Sequence, residues 1–266
     1  MKDLVIGVDN LVKQYKDFYA VDGISFNVKK GEIFAFLGPN GAGKTTTIKM
    51  LTTLLKPTAG SLTIAGFDPV NEKMDARKAF SVVFQDPSLD EELTAYENME
   101  FHAVFYSVPK DVMKKRIEHL LKFVGLWDRR DSLVETFSGG MKRRLEIARA
   151  LTHHPKILFL DEPTIGLDPQ TRDSIWKYIR ELNKTEKMTV FMTTHYIEEA
   201  EKVADRVAII DNGKILQIGS PKELIKLTKT KSLEEAFLKL TGRKIRDEDA
   251  SSMDKARLKA RMMGRR

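Results

Sequence analysis

The run Gly38-Pro39-Asn40-Gly41-Ala42-Gly43-Lys44-Thr45 fits the pattern G-x-x-x-x-G-K-[ST] and sits between an apolar run ending at Leu37 and a stretch of helical periodicity. Glycines let successive backbone N–H groups turn inward into an anion-binding concavity, and the helix N-terminus adds the positive end of its dipole. Lys44 then supplies a point charge for the β and γ phosphates of a nucleotide such as ATP, Thr45 offers a hydroxyl to Mg2+, and Thr46 continues the cradle. Chance produces the pattern in roughly 1% of chains this long, before its strand and helix context is required.

A second constellation follows. Ile157-Leu158-Phe159-Leu160, a buried-strand pattern, runs directly into Asp161 and Glu162. Acids often end strands where a chain re-enters solvent. Beside a phosphate cradle the pair has a sharper use: Asp161 holds Mg2+, directly or through water, and Glu162 accepts a proton from the attacking water or orients it.

These groups need an α/β frame. Strands are expected at residues 5–12, 24–28 and 33–37, then at 81–84, 157–160, 190–193 and 206–210, with a helix over 43–55 after the cradle. Between Pro87 and Pro155 the periodicity turns helical, giving three amphipathic helices over 92–106, 111–124 and 138–151. The expected layout is one ATPase domain over 1–225, with a helical block inserted at about 88–152, and an accessory segment over 226–266 whose last helix covers 252–263.

Composition narrows the class. The 266 residues contain no cysteine, which removes disulfides, thiolate metal sites and cysteine nucleophiles. No run reaches the ~18 apolar residues that span a bilayer, and the N-terminus lacks the pattern of a secretion signal. The chain is therefore expected to stay cytoplasmic, and any membrane role runs through another chain. The net charge of +7 is concentrated: residues 242–266 hold nine basic and four acidic side chains, or +5. Basicity confined to a tail argues against a nucleic-acid partner. Met253, Ala256, Ala260 and Met263 would form one stripe there, suited to an anionic membrane surface or a partner subunit, while a solvated tail is the plainer expectation.

Phe137-Ser138-Gly139-Gly140-Met141, at the start of a helix inside the inserted block and ahead of the acidic pair, resembles the signature motif of ABC ATPases. Gln85 stands where that family keeps its Q-loop glutamine, His195 where it keeps its switch histidine, and Gly166-Leu167-Asp168 matches its D-loop. Tyr15 occupies the place of an aromatic that stacks on adenine, a contact a ring face makes cheaply. Three positions in two motifs depart from the family pattern: Phe137 and Met141 replace leucine and glutamine in the signature, and Ile165 replaces the D-loop serine. Met141 cannot hydrogen-bond as glutamine does, but Ser138, Gly139 and Gly140 retain a hydroxyl, backbone N–H groups and a helix dipole.

The resemblance spans about residues 4–225 and implies the rest. The fold would be a nucleotide-binding α/β core with an N-terminal antiparallel β-subdomain and the helical insert. Gln85 would join Thr45 and Asp161 around Mg2+, and Lys44, Glu162, Gln85 and His195 would act in hydrolysis. Ser138, Gly139, Gly140 and Asp168 would serve the nucleotide of a second copy, making a homodimer that closes on two ATP molecules. The partner would be a transmembrane permease on a separate chain, with this subunit peripheral on the inner membrane face. Within the family, residues 51–57, 162–172 and 193–201 resemble the daunorubicin-resistance type of drug exporter. Two other classes compete. A soluble ABC ATPase acting on nucleic acid or protein assembly would carry a long coiled-coil insert or two cassettes, and neither is present. A non-hydrolysing structural subunit would lack a catalytic residue, whereas Glu162, Gln85 and His195 are all there.

Overall fold

The computed structural model describes residues 4–242. The expected helix over 252–263 and most of the basic tail lie outside the described residues.

The chain opens with two long strands, β1 (Leu4–Tyr15) and β2 (Phe18–Lys29), which form a hairpin; β4 (Ala59–Ile64) adds to the other side of β1 in an antiparallel sheet ordered β2-β1-β4. The main sheet has six strands: β5 (Phe80–Val83), β6 (Ile157–Asp161), β7 (Thr189–Thr194), β3 (Ile33–Leu37), β8 (Arg206–Asp211) and β9 (Lys214–Gly219), in that order. Its first five strands pair in parallel, and β9 is antiparallel to β8. Every residue of β3, β6 and β7 is buried, which is why these strands read as continuous apolar runs rather than alternating ones.

Phe26 of β2 stands 5.6 Å from Phe34 and 5.3 Å from Phe36 of β3, and 5.9 Å from Phe191 of β7. This aromatic layer locks the small sheet onto the large one with contacts at favourable ring separations. A second core on the other face takes in the helices, where Met99, Ile117, Leu145, Ile175 and Phe237 are wholly buried.

The helical block is α3 (Ala95–Phe105), α4 (Lys110–Phe123) and α5 (Gly139–Ala150). Thr94 and Glu97 form a capping box that starts α3. The helix after the cradle, α1, covers only Lys44–Leu51 rather than reaching residue 55. Thr53 adopts φ +65, and the N–H groups of Leu54 and Leu55 turn back to Lys49 O at 2.9 Å each. Five helices were not anticipated: α2 (Lys73–Ala79), the long α6 (Pro169–Glu186), α7 (Ile197–Val203) and the closing pair α8 (Pro221–Thr228) and α9 (Leu233–Thr241). Residue 225 falls inside α8, and Leu224, Leu233 and Phe237 all belong to the helical core cluster.

Candidate nucleotide site

Four neighbouring parallel strands, β5, β6, β7 and β3, end on the same edge of the sheet, where open α/β sheets collect ligands. Beyond β3 comes the cradle, beyond β6 Glu162, beyond β7 His195, and beyond β5 Gln85. Together they line one cleft of about 560 Å3. Its walls are residues 39–46, Gln85, Glu162, His195 and, from the tip of the β1–β2 hairpin, Tyr15.

The cradle needs its glycines. Gly43 has φ +104, and a Cβ there would lie 2.5 Å from Ala20 O; at Gly38 a Cβ would meet Ile210 O at 2.3 Å. Lys44, only 5% exposed, bends back over the loop and donates to Gly38 O at 2.7 Å and Pro39 O at 3.1 Å. Its Nζ is also 3.5 Å from Glu162 Oε1.

Glu162 occupies a left-handed backbone position, φ +49, held by its N–H donating to Thr193 O at 3.2 Å and Thr193 Oγ1 at 3.1 Å. Such a conformation costs a non-glycine residue of order 1–3 kcal/mol and persists where the surroundings impose it. His195 Nδ1 lies 3.3 Å from Glu162 Oε2. Burial works to raise the Glu162 pKa, but the His195 hydrogen bond and the Lys44 charge outweigh it and hold the carboxyl below the usual range. A carboxylate that stays ionised, buried, and beside a cation is suited to orienting or deprotonating water.

Asp161 lies behind the cleft rather than on its wall, 2% exposed. Burial raises its pKa, opposed by hydrogen bonds from Thr193 Oγ1 at 2.6 Å and from Thr45. A hydroxyl bonded to a buried carboxylate is the oxygen donor set that Mg2+ takes, usually with few protein ligands and several from phosphate and water. Among the described residues no cluster of three or more His, Cys, Asp or Glu is placed to hold a metal ion.

The signature residues stand apart. Ser138 caps α5, its Oγ accepting from Met141 N at 3.3 Å, and none of Ser138, Gly139 or Gly140 lines the cleft. A Cβ at Gly139 would meet nothing within 4 Å, whereas one at Gly140 would strike Thr171 Cγ2 at 2.7 Å. Asp168 likewise lies off the cleft; it caps α6, accepting from Thr171 N at 3.0 Å and Thr171 Oγ1 at 2.6 Å. Met141, half-buried, packs on the helical core.

Phe18, Ala20 and Ile165 also line the cleft, and no role was expected for them. Phe18 had a legible signal: it pairs with Tyr15 across the Lys16-Asp17 turn, which sets both aromatics at one hairpin tip.

Residues 21–165 match the family model described as ABC transporter. The linearmycin resistance ATP-binding protein LnrL of Bacillus subtilis is 42% identical over 243 residues, covering 88% of this chain and 78% of that protein. The daunorubicin/doxorubicin resistance ATP-binding protein DrrA of Streptomyces peucetius is 43% identical over 219 residues, 82% of this chain and 66% of its own length. A solved dimeric ATP-binding cassette, in a post-hydrolysis state bound to ADP and Pi, superposes with a TM-score of 0.73 at 29% identity. It covers 81% of this chain and 98% of that one.

Proposed function

The chain belongs to the ABC transporter family and is an ATPase, and from that premise we propose that it powers an exporter of drugs or other hydrophobic compounds through a separate membrane permease. One observation carries the catalytic assignment: Lys44, Glu162, His195, Gln85 and Tyr15 come from five distant stretches and line the same cleft. The cradle N–H groups and Lys44 bind the β and γ phosphates, and Tyr15, 48% exposed at the cleft mouth, stacks on the adenine. Thr45, Asp161 and Gln85 would hold Mg2+, which supplies charge neutralisation at the phosphates. Glu162 takes a proton from water as the water oxygen attacks the γ-phosphorus and the bond to the β-bridging oxygen breaks, giving ADP and phosphate. His195 keeps Glu162 oriented through the 3.3 Å contact.

Ser138, Gly139, Gly140 and Asp168, lying off the cleft, serve the nucleotide of a second copy, so that two chains close on two ATP molecules. Among the described residues no helix is long and apolar enough to cross a membrane. Phe101, Val104 and Phe105 of α3, 63%, 57% and 83% exposed, form an apolar strip that supports docking on a permease at the cytoplasmic membrane face. The export reading draws on the resistance proteins named above. Lys44→Ala tests the cradle: ATP affinity should drop by at least about tenfold by calorimetry, since the buried cation bonded to the loop is lost. Unchanged affinity would contradict it.

A further inference from the structure

The stretch 84–88, which carries Gln85, forms neither helix nor strand, and its residues 85–88 are exposed. One face of α5 fixes it. Arg143 Nη1 donates to Phe84 O at 2.7 Å, and Glu146 Oε1 accepts from Ser88 N at 2.7 Å and from Ser88 Oγ at 3.1 Å. One turn on, Arg149 Nη1 donates to Ser88 O at 2.8 Å. Positions 143, 146 and 149 recur every three residues, so the three side chains share one side of the helix.

Arg143 does more than hold that loop. Its Nε donates to Pro163 O at 2.7 Å, while Nη1 pairs with Glu146 Oε2 at 2.9 Å. One guanidinium thus grips the carbonyl just before Gln85 and the carbonyl just after Glu162. Arg143 and Glu146 are 7% and 3% exposed. Burying such a pair brings little net stability compared with an apolar pair of the same volume, so its value lies in geometry. The helix that carries it begins at the Ser138 cap.

We infer that Arg143 is a positioning residue for hydrolysis, holding Gln85 and Glu162 in register with each other and with the N-terminus of α5; the inference rests on the ATPase reading above. A planar fork can satisfy two carbonyls and a carboxylate at once, and an ammonium group cannot reproduce that pattern. Misplacing catalytic groups by about 1 Å costs up to about a hundredfold in rate.

The test is steady-state ATPase kinetics of the full chain with Mg-ATP, with thermal melting to confirm folding. Arg143→Lys should lower kcat by about tenfold or more and leave KM for ATP within about twofold, because Lys44 and Tyr15 are untouched. Ser88→Ala, on the exposed loop, removes the hydroxyl bonded to Glu146 and should lower kcat alone by about threefold. If Arg143→Lys shows no cooperative melt, Ser88→Ala decides. Wild-type kcat in a folded variant, or a loss expressed in KM instead, overturns the inference. Glu162→Gln run alongside separates the two readings. Turnover surviving there sinks the catalytic assignment, whereas turnover lost there with wild-type kcat in Arg143→Lys sinks only the positioning role.

Discussion

Replacing Glu162 by Gln isolates the proton-accepting group from everything else it does. Gln has the same length, can keep the φ +49 backbone, and its amide oxygen can still accept from Lys44, 3.5 Å away. The cradle's own bonds, Lys44 to Gly38 O and Pro39 O, do not involve Glu162. What disappears is the capacity to take a proton from water. A general base contributes about 10²–10⁴ in rate, or about 3–5.5 kcal/mol at about 1.36 kcal/mol per tenfold. ATP affinity should hold or rise, because a negative charge facing Lys44 and the incoming phosphates is gone. The carboxyl is held below its usual pKa range, so its ionised form favours the folded chain near neutral pH. The variant should therefore melt slightly lower. Single-turnover phosphate release measures the chemical step, and calorimetry with Mg-ATP measures binding. Release within about threefold of wild type would refute Glu162 as the base.

Tyr15→Ala should weaken ATP binding by about 1–3 kcal/mol, the value of one base–aromatic stack, while Tyr15→Phe should bind normally; equal losses in both would point to the hydroxyl instead. Burial lowers His102 to about 3 and His153 to about 4, from 6.5. The unfolded chain takes up these protons first, so the stability is complete above about pH 6.5 and is lost as pH falls toward the folded values. His102 alone accounts for about 2 kcal/mol between pH 7 and 5. Urea melts at the two pH values check this, and His102→Gln should lose less; an equal loss would show that other groups carry the acid sensitivity.

The cradle and the acidic pair were legible because their chemistry is local. A glycine loop between strand and helix, and two acids after a buried strand, are patterns a few residues long. Gln85 and His195 are single residues whose meaning came from the family resemblance; the structure explains their place, since β5 and β7 end beside β6 and β3. The helical insert was legible from its periodicity. Less legible was what depends on tertiary geometry. Thr53 ends α1 through a left-handed turn, although the residues around it favour a longer helix. Ile165 reaches the cleft only because the chain turns after Glu162. The Arg143–Glu146 pair reads as an ordinary surface i, i+3 pair until the 84–88 stretch and Pro163 fold over it. Asp168 marks a D-loop in sequence, and in the structure it is also the cap of α6.

In the proposed mechanism ATP is held between two copies of this chain, with the cleft of one facing the α5 N-terminus of the other. Light scattering of the Glu162→Gln protein, with and without saturating Mg-ATP, tests it directly. Slow hydrolysis should preserve the closed pair, so the mass should rise with nucleotide to twice the 30.3 kDa of one chain and fall back when nucleotide is removed. Adding Ser138→Arg to the same protein should abolish that rise, since a bulky cation would occupy the phosphate-facing end of α5. A mass of 30.3 kDa at saturating Mg-ATP, or a dimer indifferent to both nucleotide and Ser138→Arg, would contradict the shared site.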